Sequence, residues 1–125
     1  MTVTLTPTSL PYVYRMNWDA NPDENDVRLA FIQIEERLNN SQKPIDIIVD
    51  ITSNPRFPMR TTINGAARVN QHSMMGDWVV MGGNRAAQLI ARSMNLFGKN
   101  NVYWYQTETD AFNHFEQNRK ADGIR

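Results

Sequence analysis

Ile45-Asp46-Ile47-Ile48-Val49-Asp50-Ile51 is a nearly continuous, β-branched apolar run. It is too apolar for a strand with one wet face and suits a central strand covered on both sides. Such a strand requires helices against the sheet, and the flanking sequence supplies their pattern. Upstream, Val27, Phe31, Ile34 and Leu38 recur at spacings of four, three and four, one apolar stripe of a helix. Asn21-Pro22-Asp23-Glu24 reads as its start, with Asn21 as N-cap, Pro22 in the first helical position and two acids at the positive end of the dipole. Asn39-Asn40-Ser41, ahead of Pro44, ends it. Two strands precede it: the alternating Thr2-Val3-Thr4-Leu5-Thr6, stopped by Pro7, and Tyr12-Val13-Tyr14-Arg15-Met16-Asn17-Trp18.

Downstream, a loop carrying Pro55 and Pro58 leads to a second helix, Met59 to Ser73. Its inner face is read as Met59, Ile63, Ala66 and Ala67 with Gly65 among them, small residues that predict close packing on the sheet. Asp77 to Met81 is the next strand. Gly82-Gly83-Asn84 turns it into a third helix with Ala86, Ile90, Met94 and Phe97 inward, closed by Gly98. Val102-Tyr103-Trp104-Tyr105 is the last strand. Thr107 caps a final helix, with Asp110 three residues on and Ala111, Phe112 and Phe115 inward. A polar, frayed tail is expected from Arg119. The reading is one α/β domain over residues 1–118: a single mixed, mostly parallel sheet flanked by helices, in the order β-β-α-β-α-β-α-β-α, with Ile45–Ile51 and Trp78–Met81 adjacent and parallel.

The 125 residues, 41% hydrophobic and 21% charged, suffice for one substantial core. A formal net charge of zero provides no overall field toward nucleic acid or an anionic membrane, and nucleic acid is not expected as a partner. The charges are segregated, however. Asp19 to Asp50 holds eight acids against Arg28, Arg37 and Lys43, whereas Ser53 to Lys99 holds six bases against Asp77 alone. Cysteine is absent, which removes disulfides, thiol catalysis and thiolate metal sites. No stretch has the length of a membrane-spanning helix, and Met1 to Thr8 lacks the regions of a secretion signal, so the expected compartment is the cytoplasm.

Candidate chemistry is sparse. Asp50 stands at the carboxyl end of the central strand, where α/β sheets bind ligands, but lacks an acid–base partner in sequence. Gly82, Gly83, Asn84 and Arg85 form a strand-to-helix turn able to cradle an anion, without the third glycine of a dinucleotide fingerprint. His72 and His114 belong to no ligand-spaced cluster and read as surface residues; no metal or cofactor is expected. The second helix offers an outward polar stripe of Arg60, Asn64, Arg68 and Gln71, with Thr61 and Thr62 at its start, where a phosphorylated hydroxyl would meet the positive end of the dipole. The stripe is expected to be free of ion pairs to the acidic half. Trp78, Met81 and Trp104 read as core, or alternatively as the lining of an apolar ligand pocket beneath that helix.

Three pieces carry a family resemblance: Ile47-Ile48-Val49-Asp50-Ile51; Val79-Val80-Met81-Gly82-Gly83-Asn84-Arg85 through Leu96; and Tyr103-Trp104-Tyr105-Gln106-Thr107-Glu108-Thr109-Asp110-Ala111-Phe112. They look like a central strand ending in Asp, the next strand with its helix, and a closing strand with a Thr-acid run and an Ala-led helix. From Pro44 to Gln117 the chain thus resembles the STAS superfamily, the fold of anti-sigma-factor antagonists, and especially its divergent bacterial SpoIIAA-like members. Antagonists of that family carry Asp-Ser-Ser-Gly where the second helix begins, with a serine phosphorylated by a partner kinase. This chain has Pro58-Met59-Arg60-Thr61-Thr62 there, and its nearest hydroxyls are Thr61 and Thr62. The resemblance therefore implies a non-enzymatic regulatory module without the standard phosphoserine, binding a protein partner, an acidic one by charge, through Arg60, Thr61, Thr62, Asn64, Arg68 and Gln71 and the loop before them. A small-molecule or lipid-binding domain is the alternative, and a homodimer is compatible with either.

Overall fold

The computed structural model describes residues 3–19, 21–53, 55–82, 85–97 and 99–121, without the side chains of residues 86, 97 and 119–121. Thr2, Asn54, Gly83, Asn84 and Gly98, assigned above to a strand start, a loop, a turn and a helix stop, lie outside the described residues. So do the side chains of Ala86 and Phe97. The elements are β1 (Val3–Pro7), β2 (Val13–Trp18), α1 (Glu24–Asn39), β3 (Ile45–Asp50), α2 (Met59–Val69), β4 (Met75–Met81), α3 (Arg85–Phe97), β5 (Val102–Tyr105) and α4 (Glu108–Ala121), in the order expected.

The strands lie side by side in chain order, β1-β2-β3-β4-β5. β1 and β2 pair antiparallel, and the other three pairings are parallel, including β3 with β4 as the apolar runs predicted. α1, α2 and α3 cover one face; α4 covers the other over β4 and β5. Period two along β3 then divides the core. Ile45, Ile47 and Val49 join the α1–α3 layer with Phe31, Ile34, Leu38, Ala66, Trp78 and Val80. Ile48 joins the α4 layer with Val13, Val79, Met81, Ala111 and Phe115. Each large apolar side chain so buried stabilises the fold by about 1.5–3 kcal/mol. Between β3 and β4 the register shifts from Ile45↔Met75 to Ile47↔Trp78, one extra residue on β4. The displaced Asp77 N–H is taken by the Asp46 carboxylate at 2.7 Å, which gives this buried acid its place in an otherwise apolar strand.

Several local expectations shift. The N-cap of α1 is Asp23 rather than Asn21: Asp23 and Asp26 form a reciprocal capping box, with Asp26 N–H donating to Asp23 Oδ1 at 2.8 Å and Asp23 N–H donating to Asp26 Oδ2 at 3.1 Å. The residues buried on α2 are Thr62, Ala66 and Val69, so its inner face is rotated from the small-residue face expected. Gly65 packs against α1 instead of the sheet; a Cβ there would stand 2.6 Å from Phe31 Cδ2. The inner face of α3 is Ala87, Ile90, Ala91 and Met94. Thr107 caps α4 as expected, its hydroxyl accepting from Asp110 N–H at 3.3 Å, and the helix runs past Arg119 to Ala121.

Candidate functional site

The loop before α2 is pinned to the end of β2 and the start of α1. Ser53 Oγ donates to Trp18 O at 2.5 Å, Arg56 N–H donates to Asn21 Oδ1 at 2.8 Å, and the rings of Trp18 and Phe57 meet edge-on with centroids 5.2 Å apart. This employs Asn21, displaced from the cap, as a loop anchor. α2 then starts at Pro58, which offers no side-chain cap, and no acid occupies its first turn. Thr62 is 3% exposed and its hydroxyl donates to Pro58 O at 2.9 Å, which removes it from any outward face. Thr61 is half-buried and borders a small hollow between α1 and α2 with Phe31, Ile32 and Gly65.

Arg60, Asn64, Arg68 and Gln71 are all exposed, on one stripe as their spacing required. They differ in electrostatic state. Arg68 Nε lies 3.4 Å from Glu35 Oε1 of α1, so the expectation of a stripe without pairs to the acidic half fails at this residue. Arg60 has no acid partner among the described residues.

Asp50 is fully engaged. Its Oδ1 accepts from Thr52 N–H at 3.0 Å and from Thr52 Oγ1 at 2.6 Å, while Nε and Nη2 of Arg15 both donate to Oδ2. Burial alone would raise this carboxyl, but the Thr52 hydroxyl and amide and the Arg15 guanidinium outweigh it and hold it below the ordinary carboxylate range. Burial likewise opposes the Arg15 charge, and Asp50 with Glu108 prevails, raising Arg15 above its ordinary value. A carboxylate held ionised with four donors on it is a loop cap and strand-to-strand tie, poorly suited to accepting a proton. Gly82 is equally committed: its N–H donates to Tyr105 O at 3.2 Å and its carbonyl accepts from Trp104 Nε1 at 2.7 Å, so its amide does not point at an anion. Gly83 and Asn84 lie outside the described residues, and Arg85 is exposed at the start of α3.

Trp78, Met81 and Trp104 do not converge on one cavity. Trp78 and Trp104 belong to the α1–α3 layer and Met81 to the α4 layer. Beneath α2 the space is taken by Trp78, whose indole donates to Asn70 Oδ1 at 3.0 Å and whose ring centroid is 6.3 Å from that of Phe31.

Sequence reasoning placed His114 on the surface, yet it is 7% exposed. Its Nδ1 lies 2.9 Å from Tyr105 Oη, and its Nε2 lies 3.2 Å from Asp77 Oδ2 and 3.0 Å from Asn118 Nδ2. The ring packs tilted against Tyr103, with centroids 4.2 Å apart. The signal was present: 111, 114, 115 and 118 are one face of a helix whose Ala111 and Phe115 were read as inward. Hydroxyl, imidazole and carboxylate in series resemble a nucleophile with its base and orienter. Burial first, and then the charges of Asp110 and Asp77, nevertheless push the Tyr105 hydroxyl above its ordinary range, so it stays protonated. The trio clasps α4 to β4 and β5. His72 is half-buried, with Nδ1 accepting from Met74 N–H at 3.0 Å and Nε2 meeting Asn39 Oδ1 at 2.8 Å, a bridge between the ends of α1 and α2. Among the described residues no His, Cys, Asp and Glu cluster could hold a metal, and no helix is long and apolar enough to cross a membrane.

No known family profile and no curated protein matches the sequence. Among solved structures, an uncharacterized protein of the DUF3478 family with a SpoIIAA-like fold, from Shewanella loihica PV-4, is similar at a TM-score of 0.62 over 90% of this chain and 90% of that one, with 14% identity. At that identity the likeness concerns architecture alone. The chain has a SpoIIAA-like fold, as the motifs between Pro44 and Gln117 implied.

Proposed function

We propose that this domain is a non-enzymatic, STAS-type interaction module that binds a protein partner through α2 and the loop before it. The observation that supports the reading most is Arg60: exposed beside Asn64 and Gln71, on a loop-and-helix unit pinned in place, and without an acid partner among the described residues. A solvated guanidinium on a rigid element costs little stability and offers a strong site for a carboxylate-bearing partner. The engaged states of Asp50, Gly82 and Tyr105 support the non-enzymatic part of the reading. Since Arg68 already pairs with Glu35, the clean test combines Arg60→Glu with Asn64→Glu. Affinity capture from the native cell, read by mass spectrometry, should yield a partner on wild type that is lost from the double variant, with the thermal midpoint unchanged. Retention of the same partner by the folded double variant would remove α2 as the binding face.

A further inference from the structure

α3 presents an outward face that its neighbours do not explain. At 100° per residue, Arg85, Leu89, Arg92 and Leu96 fall within a stripe about 60° wide, opposite the buried Ala87, Ile90, Ala91 and Met94. Arginine and leucine therefore alternate along the crest of the helix. Leu89 is 51% exposed and Leu96 76%, the largest value among the large apolar side chains of the described residues. Arg85 and Arg92 are exposed and, like Arg60, have no acid partner among the described residues. Beside the crest, Arg85, Gln88, Leu89 and Arg92, with Met59 at the start of α2, are the described residues lining a groove of about 660 Å³. Asp77, the one acid between Ser53 and Lys99, is turned to the opposite face of the sheet against His114.

We propose that this crest and groove receive an acidic amphipathic helix of a partner protein, with carboxylates set against Arg85 and Arg92 and apolar side chains against Leu89, Leu96 and Met59. The inference rests on the partner-binding reading above and names the partner's chemistry. Interleaved charge and apolar positions at i, i+4, i+7 and i+11 are matched by a helix bearing acids and leucines at the same spacing. A second copy of this chain is a poor occupant. On its acidic helix α1, Glu24 faces Arg28, Glu35 faces Arg68, and Asp23 and Asp26 close the capping box, which leaves Glu36 as the single acid there outside these contacts, too few to oppose both Arg85 and Arg92. A bilayer is disfavoured by shape, because the recess beside the crest would stay unfilled against a flat surface. Contact along one face of a helix about 20 Å long buries a small area, in the size range of transient encounters.

The probe is a stapled peptide of about four helical turns, with Glu and Leu alternating along one stripe. A scrambled isomer and phosphatidylglycerol vesicles serve as comparisons, all followed by amide-resolved NMR. The expected result is shifts at Met59 and across Arg85 to Leu96 with the striped peptide alone. Arg85→Glu with Arg92→Glu should weaken that binding roughly tenfold or more while leaving the thermal midpoint in place, and Leu89→Ser should weaken it without a change of charge. Equal binding of the scrambled isomer would overturn the helix requirement. Tighter binding of the vesicles through the same residues would assign the face to membranes and overturn the proposal. Shifts confined to Arg60, Asn64 and Gln71 would overturn the groove and keep the α2 reading. Silence at both faces, with a native partner still lost on Arg60→Glu and Asn64→Glu, would again overturn the groove alone.

Discussion

Asp50 accepts four hydrogen bonds, from Arg15 and Thr52, and its environment makes a prediction about pH. The carboxyl is held below its ordinary value by Thr52 and Arg15, while the unfolded chain titrates near the ordinary value, about 3.9. Fewer protons are then bound folded than unfolded across that interval, so the stabilisation is complete above it and fades as the pH falls through the folded value. Asp50→Asn should cost roughly 1–3 kcal/mol near neutrality, because Arg15 keeps only the longer contact to Glu108 at 3.5 Å and Thr52 loses a charged acceptor. In urea unfolding of both proteins across a pH series, the gap between them should narrow once the pH drops below about 4. A gap independent of pH would show that the ion pair and the charged cap contribute nothing.

Between elements, the contact of α1 with α2 turns on a missing Cβ. Alanine is the better helix former by about 1 kcal/mol, so Gly65→Ala would stabilise an isolated α2. In the folded domain the added methyl stands 2.6 Å from a ring that is 5% exposed and hemmed in, and overpacking of that kind costs about 1–3 kcal/mol. The substitution should therefore destabilise wild type and become neutral or stabilising in a Phe31→Leu background. Thermal unfolding of the two singles and the double checks that reversal of sign. The stripe Val27, Phe31, Ile34 and Leu38 was legible because α1 buries one full face and period 3.6 reports it directly. α2 was less legible: a threonine is buried there because its hydroxyl satisfies Pro58 O, and a glycine faces another helix, choices that periodicity in apolar residues does not encode. His114 was missed for a related reason. Its place on the inward face with Ala111 and Phe115 was readable, but only the docking of α4 on the face opposite α1, α2 and α3 brings it to Asp77 and Tyr105.

Over the whole molecule, the segregated charge survives folding in one direction only. The acids of α1 are largely consumed by Arg28, Arg68 and capping, whereas Arg60, Arg85 and Arg92 remain without acid partners among the described residues on the adjacent helices α2 and α3. The sequence showed the imbalance between its halves; which charges stay available depends on tertiary pairing and was not readable from it. A chain with zero formal charge and a pI near 6.7 should pass through a cation exchanger at neutral pH if only net charge mattered. Patch electrostatics predicts retention instead, because a surface within a Debye length, about 10 Å at 0.1 M salt, senses the nearest charges. Wild type should be held at low ionic strength and released by moderate salt. Arg85→Glu with Arg92→Glu should flow through, and adding Arg60→Glu should complete the loss. Arg28→Glu with Arg37→Glu makes the same change in net charge on α1, where Arg28 already faces Glu24 and Arg37 lies over the Tyr14 ring, and should leave much of the retention. If both pairs of reversals abolish retention equally, the field is set by net charge and the α2–α3 face is not a distinct basic surface.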